Sequence, residues 1–137
     1  MVGRAVSTGG PVTLVAGPER RHSFIAMRDV AAYAVAALHH DRAEHQTLVI
    51  GGPQPISWRD VIAAFEQELG HAIEVRTVPP GTPIPGLPDF LTGLVTFLNS
   101  YDSPIDSADQ AATYGVVPTP LTEFVREFVA ANRQRVD

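Results

Sequence analysis

The fold is decided by the stretch Arg21-His22-Ser23-Phe24-Ile25-Ala26-Met27-Arg28-Asp29-Val30-Ala31-Ala32-Tyr33-Ala34-Val35-Ala36-Ala37-Leu38. The small, largely apolar run from Ser23 to Met27 fits a buried strand. Asp29 stands where a helix N-cap belongs, because its carboxylate can accept from the free N–H groups of the first turn. The apolar residues after it recur at spacings of three and four. The stretch therefore predicts a short strand leading into a slim helix that can lie close against a sheet.

Working outward, three more runs of apolar and β-branched residues predict strands at Val12 to Ala16, Thr47 to Ile50 and Ile73 to Val78. The last run alternates apolar and polar residues, as in a half-exposed strand at the edge of a sheet. Prolines and glycines crowd Pro79 to Pro88, which predicts a long loop without regular structure.

Two helices have clear start signals. Ser57 and Asp60 have the spacing of a capping box, in which each side chain bonds to the other residue's backbone N–H. Gly70 stands where a left-handed residue would end that helix. Thr119 is predicted to be the N-cap of the last helix, with Pro120 at the first position, where its missing N–H is harmless.

A further helix, predicted over Phe90 to Leu98, is too broadly apolar to be covered by one neighbour in a small domain. Part of this surface should contact a second subunit or another part of a longer protein. Residues 1–11 are interpreted as a flexible lead-in, 12–134 as a single domain and 135–137 as a frayed tail. The fold class expected is α/β, a small sheet of three or four strands packed with helices, with a mainly helical C-terminal part.

The composition restricts the function. A chain of 137 residues, 45% of them hydrophobic and 18% charged, suits one globular domain with a real core. A net charge of −5 with scattered arginines argues against binding to nucleic acid or to an anionic membrane. The absence of cysteine excludes disulfides and thiolate catalysis, and no apolar run approaches membrane-spanning length. We expect a cytoplasmic protein.

Phe24-Ile25 followed by Asp29-Val30-Ala31 at a helix start resembles the second half of extended and atypical short-chain dehydrogenase/reductases, the NmrA-like and NAD(P)-binding sugar-epimerase-type proteins. The similarity continues through Leu48 to Pro53 and Ile56 to Val61. It also includes Tyr114 to Phe124, so it spans roughly Val12 to Val129.

The resemblance implies the C-terminal, substrate-binding half of such a protein, without its N-terminal Rossmann half. The chain contains no Gly-x-x-Gly-x-x-Gly or Gly-x-Gly-x-x-Gly turn, and Tyr-x-x-x-Lys is impossible because there is no lysine. NAD(P) is implied for a full-length relative, and we expect no cofactor in this chain itself.

The candidate substrate-binding residues are Arg21, His22, Trp58 and Tyr101. In the resembling family the turn before Arg21 lies near the substrate cleft, where this arginine would recognise an anion; the alternative is a solvated basic pair with Arg20. Trp58 is either a lid over a pocket or part of the core. The loop from Pro79 to Pro88 either helps to roof that pocket or is a stiff connector.

Two other patterns favour structural explanations. His39, His40 and His45 suggest a metal, but adjacent helical side chains point about 100° apart, so a favourable interaction with the helix C-terminus explains them better. No metal site is predicted. Gly51-Gly52-Pro53 follows a predicted strand as a phosphate loop would, but proline removes backbone donors, which favours a simple turn.

Three functions fit these observations. The first is the substrate-binding and interface portion of an NAD(P)-dependent reductase-like or redox-sensor-like protein, not catalytically competent alone. The second is a stand-alone small-ligand or protein-interaction module without enzyme activity. The third, an independent enzyme, needs a catalytic centre that the sequence does not show.

Overall fold

The fold is seen in a computed structural model that describes residues 2–84 and 88–133. Along the chain its elements are α1 (Val2–Thr8), β1 (Val12–Val15), β2 (Arg21–His22), α2 (Met27–Leu38), a 3-10 turn (Asp41–Ala43), β3 (Ile56–Ser57), α3 (Trp58–Leu69), β4 (Val75–Val78), α4 (Asp89–Leu98), α5 (Ala108–Tyr114) and α6 (Leu121–Arg133). The predicted α/β class with a helical C-terminal part is confirmed.

The strands form two small sheets rather than one sheet of three or four strands. β1 pairs in parallel with β4, with Val12 opposite Val75. β2 pairs antiparallel with β3, with Arg21 opposite Ser57. The described β-branched run from Thr47 to Ile50 is not a strand, and the predicted strand over Ser23 to Met27 is reduced to the preceding pair Arg21–His22.

The backbone just after β2 is held by irregular neighbours, which explains why the strand stops. The N–H of Ser23 donates to the carbonyl of Ser103 at 3.3 Å, and the N–H of Gly52 donates to the carbonyl of Ser23 at 3.2 Å. The hydroxyl of Ser23 also accepts from the N–H of Ile105 at 2.9 Å. These bonds link three segments that are distant in sequence without continuing a ladder.

The core lies between α1, α3, α6 and β1. Phe65 of α3 meets Phe128 of α6 edge-on, with ring centroids 5.6 Å apart. The other members are buried apolar residues: Val2, Ala5, Val12, Leu14, Ile56, Val61, Ile62, Val125 and Val129. Burial of this apolar surface is the main stabilising contribution to the domain.

The expectation of a flexible lead-in over residues 1–11 is wrong for the part that the structure describes. Val2 and Ala5 face the core with only 2% and 8% exposure, because the short helix α1 places them three residues apart on one face. Gly3 allows this close approach, since a Cβ there would come within 2.7 Å of the Phe128 ring. The expected frayed tail at 135–137 lies outside the described residues.

The capping box of α3 is present. The N–H of Asp60 donates to the Ser57 hydroxyl at 3.2 Å, and the N–H of Ser57 donates to the Asp60 carboxylate at 2.9 Å. These bonds from Ser57 hold the pKa of Asp60 below its ordinary value. Gly70 ends the helix in the left-handed conformation at φ 75°, as predicted.

Asp29 and Thr119 are not the N-caps that the sequence suggested. α2 begins at Met27 with Ala26 in the N-cap position, which places Asp29 in the first turn. The buried Asp29 carboxylate instead accepts from the backbone N–H and from the hydroxyl of Thr119, both at 2.7 Å. The Thr119 hydroxyl also accepts from Arg28 Nε at 2.8 Å, and α6 begins only at Leu121. The two residues therefore join two helices to each other.

Gly52 has a steric role. A Cβ on Gly52 would lie 1.9 Å from the backbone carbonyl oxygen of Phe24, so no other residue fits without moving the backbone. Close packing against the Phe24 backbone therefore explains why this position is a glycine.

Replacing Gly52 with alanine is expected to lower the free energy of unfolding by about 3 kcal/mol or more, because the clash is with main chain rather than with a movable side chain. Gly93→Ala is the matched control: Gly93 lies inside α4 with open space at its Cβ position, so this change should be neutral or stabilise by up to about 1 kcal/mol. Urea denaturation of both variants measures the difference. Equal midpoints would contradict the close approach.

Asp29→Ala is expected to destabilise the protein by about 1–3 kcal/mol, because the Thr119 N–H loses its buried acceptor. Asp109→Ala is the control, since Asp109 also lies in the first turn of a helix but is exposed. It should cost under about 1 kcal/mol, the value of a dipole interaction alone. Thermal unfolding of the two variants measures the loss of stability in each. An equal loss in both would mean that Asp29 stabilises the protein only through its interaction with the helix dipole.

Candidate functional site

The candidate site is an apolar pocket of about 250 Å³ between α1, α3 and α6. Five aromatic side chains line it, namely Phe24, Trp58, Phe65, Phe124 and Phe128. The other lining residues are Val2, Gly3, Ile25, Ala26, Pro53, Gln54, Ile56, Val61, Thr119 and Leu121. We call this cavity the aromatic pocket.

Among the side chains that the structure describes, none of those lining the aromatic pocket is charged. Its polar groups are the Gln54 amide, the Trp58 indole and Thr119, whose N–H and hydroxyl are already bonded to Asp29. Within the part of the chain that the structure describes, neither the Gln54 amide nor the Trp58 indole N–H has a hydrogen-bond partner. The pocket therefore offers aromatic faces and two free polar groups.

A row of rings connects the pocket with the rest of the predicted site. Trp58 lies 4.9 Å from Phe24, Phe24 lies 5.4 Å from His22, and His22 lies 6.1 Å from Tyr101, measured between ring centroids. Phe97 of α4 continues the row at 5.0 Å from Tyr101. The structure thus brings His22 next to Tyr101, whereas Trp58 is separated from both by Phe24 and is the predicted residue that lines the pocket.

His22 is buried and is paired with a residue that the sequence did not single out. Its Nδ1 lies 2.6 Å from the Ser103 hydroxyl, and its Nε2 has no partner among the described residues. A serine beside a histidine resembles an activated nucleophile. However, His22 is only 3% exposed and does not line the aromatic pocket, so this pair has no visible path to a substrate.

Arg21 is exposed, but its guanidinium already has partners within the chain. Its guanidinium donates to the carbonyl of Pro55 at 3.2 Å and lies 3.6 Å from the Asp60 carboxylate. Arg20 is similarly paired, with Asp102 at 3.6 Å. An anion at Arg21 would have to compete with these partners, and its substrate-binding role stays a prediction.

The described residues of the proline-rich loop, 79–84 and 88, do not line the aromatic pocket. Where the structure describes it, the N–H of Gly81 donates to the Thr96 hydroxyl of α4 at 3.3 Å, so the loop rests on that helix. Residues 85–87 lie outside the described chain.

No three histidine, aspartate or glutamate side chains come together as metal ligands within residues 2–84 and 88–133. Over the same ranges, no helix combines the length and the apolarity needed to cross a membrane.

Of the five rings that line the pocket, the sequence pointed only to Trp58 as a site residue and missed Phe24, Phe65, Phe124 and Phe128. Phe124 and Phe128 fit the buried face of the last helix, and Phe24 fits the central stretch, so each has an ordinary packing explanation. The spacing of four between Phe124 and Phe128 was the available signal, because it stacks two rings on one face of α6. What they face depends on α3 and on the backbone at 24–26, which no local pattern shows.

No protein-family model and no curated protein matches this chain. Solved structures do match. A UDP-glucuronic acid 4-epimerase from Bacillus cereus, in complex with UDP-glucuronic acid and NAD, superposes with a TM-score of 0.70 at 18% identity over 97% of this chain and 38% of its own. For a UDP-N-acetylglucosamine 4-epimerase from Bacillus cereus the TM-score is 0.66 at 17% identity, over 96% and 41%. An NADPH-dependent quinone oxidoreductase from Escherichia coli gives 0.70 at 18%, over 93% and 49%.

The chain therefore spans less than half the length of each of these proteins while almost all of it superposes on them. At such low identity the likeness concerns the fold. It agrees with the resemblance seen in the sequence: this chain has the fold of part of these epimerases and of the oxidoreductase.

Proposed function

We propose that this chain is the substrate-binding and interface portion of an NAD(P)-dependent reductase-like or NmrA-like redox-sensor protein of the cytoplasm, and that it is not catalytically competent alone. The observation that carries the proposal is the coverage: 93–97% of this chain superposes on proteins of which it accounts for only 36–49%. These neighbours are sugar-nucleotide epimerases and an NADPH-dependent oxidoreductase. The aromatic pocket is the proposed substrate-binding feature.

The absence of dinucleotide-binding motifs from this sequence supports the proposal that another part of a longer protein binds the cofactor. Dinucleotide binding uses a glycine turn whose N–H groups reach the pyrophosphate at a helix N-terminus. The pair Gly51-Gly52 is the feature of the sequence most similar to such a glycine turn, but its N–H groups already have partners. The N–H of Gly51 donates to the Ser107 hydroxyl at 3.3 Å, and the N–H of Gly52 donates to the backbone carbonyl of Ser23. Neither N–H is free to bind a phosphate.

The interface role has support on α4. Phe90 and Phe97 are 75% and 60% exposed, and Leu94 on the same helix is half exposed. We propose that this surface, Phe90 to Leu98, meets a dinucleotide-binding half or a second copy of the chain.

A second exposed apolar surface lies on α2. Met27 and Leu38, at its two ends, are 84% and 83% exposed, and Val35 between them is also exposed. The run from Thr47 to Ile50 is rich in strand-forming residues but has no strand partner among the described residues. An exposed apolar helix face and an unpaired strand-forming run are features that a sheet from another domain would cover.

The stand-alone module remains the alternative, and the core of α1, α3 and α6 favours it in one respect. Together with Val12 and Leu14 of β1 and Ile56 of β3, these elements bury a continuous cluster that includes Phe65 and Val125. A self-sufficient module would need no partner on α2 or α4, which makes the two functions distinguishable by association.

The chain alone is expected to bind NADH and NADPH no more tightly than roughly millimolar, because single contacts without a glycine cradle give little binding energy. Calorimetric titration with each reduced cofactor is the measurement. Gly51→Val is a poor control, because a Cβ there would press on Ser23 and Ile105 and disturb the fold. Saturable binding at micromolar concentration by the unaltered chain would contradict the proposed division into two halves.

The chain is also expected to self-associate and to bind a hydrophobic dye, because its exposed apolar surfaces lack a cover. Sedimentation at micromolar and higher concentrations tests this on two matched double variants. M27S/L38S removes apolar side chains from α2, and F90S/F97S removes them from α4. The variant that restores the monomer identifies the interface. A clean monomer for the unaltered chain, without dye binding, would favour the stand-alone module.

A further inference from the structure

We infer that the aromatic pocket binds a small, planar, uncharged aromatic compound of one or two rings that carries a carbonyl or hydroxyl group. The inference rests on the proposed function, because it names the substrate class of the feature assigned there to substrate binding.

Charge excludes a nucleotide sugar from this cavity. A diphosphate group buried against residues without positive charge would be left unpaired, which is strongly unfavourable. Arg28 donates to Thr119 at the pocket wall, but it is already paired with Glu123 and Glu127 of α6. The pocket favours an uncharged ligand.

Size restricts the ligand further. An engineered apolar cavity of about 150 Å³ is enough to hold benzene, and pockets for drug-sized ligands begin near 300 Å³. At about 250 Å³ the aromatic pocket lies between these two values. One ring or two fused rings fill it, whereas a dinucleotide or a nucleotide sugar is far too large.

The rings in the wall favour a planar ligand. Phe24 and Trp58 form one pair at 4.9 Å, and Phe124 and Phe128 form another at 6.2 Å with ring planes 30° apart. Flat aromatic ligands gain stacked or edge contacts with such pairs. The Gln54 amide and the Trp58 indole N–H, which lack partners among the described residues, can donate to a carbonyl or hydroxyl oxygen of the ligand.

The pocket can be reached from solvent. Phe124 is 41% exposed, and Pro53 and Gln54 are also exposed, so these three residues form its mouth. Phe65 is buried and forms its floor. A ligand therefore enters beside Phe124 without opening the core.

Trp58 provides a direct reading of occupancy, because it is the single tryptophan of the chain. The probe is 1,4-naphthoquinone, which has two rings and two carbonyl groups, and the chain has no cysteine or lysine that would form an adduct with it. Trp58 emission should be quenched along a saturable curve, and the melting temperature should rise as the site fills. UDP-glucuronic acid should change neither signal at the same concentration.

Phe124→Ala should weaken naphthoquinone binding by about tenfold or more, since it removes one wall of the mouth. Phe90→Ala, on exposed α4 outside the pocket, should leave binding unchanged. If circular dichroism shows that Phe124→Ala is unfolded, Ala26→Leu replaces it as a variant that fills the pocket, and it should abolish saturation.

Linear quenching without saturation, or saturable quenching that survives both pocket variants, would overturn the inference, as would tighter binding of UDP-glucuronic acid. These outcomes are separate from the test of the proposed function. Cofactor titration and sedimentation report on the missing half whatever the pocket binds, and the fluorescence titration reports on the pocket whether or not the chain associates.

Discussion

The bond between Asp29 and Thr119 is the constraint on which the site depends. A buried carboxylate is tolerated only when its oxygens are satisfied, and here both accept from one residue 90 positions away in the sequence. Arg28, next along the chain, reinforces the joint by bonding to Thr119 and to Glu123 and Glu127 of α6. The start of α2 and the start of α6 are therefore held together by the bonds of the buried Asp29 and by those of the exposed Arg28.

This joint explains why a pocket exists at all. Because α6 is anchored at its first turn to α2, its rings Phe124 and Phe128 are presented to the chain just before α2, where Phe24 lies. Gly52 fixes the other side, since its contact with the Phe24 carbonyl prevents that segment from shifting toward the core. The Asp29–Thr119 bonds and the close contact of Gly52 thus hold the ring pair of α6 apart from the pair that includes Phe24. The space between the two pairs is the aromatic pocket.

Local patterns predicted the helices α2, α3, α4 and α6 and the strands β1 and β4, but they missed α1 and β3, placed two strands wrongly and gave the tertiary partners poorly. The capping box at Ser57 and Asp60 involves residues three positions apart, so the sequence contains all that is needed to predict it. Asp29 shows the limit: an acidic residue near a helix start has the same local signal whether it caps its own helix or bonds to a distant backbone N–H. The pocket was missed for the same reason, because Phe24 and Phe124 meet only through the tertiary fold.

The run from Thr47 to Ile50 shows a different limit. Strand propensity describes side chains that fit a pleated, half-buried surface, and a strand forms only when another strand accepts its backbone hydrogen bonds. Within the described chain the run has strand-forming residues and no strand partner, and apolar residues of α2 are exposed. The aromatic pocket and the exposed α2 surface therefore differ in kind. The pocket is lined by residues from several segments of this chain, whereas the α2 surface is the one that we propose a sheet from another domain covers.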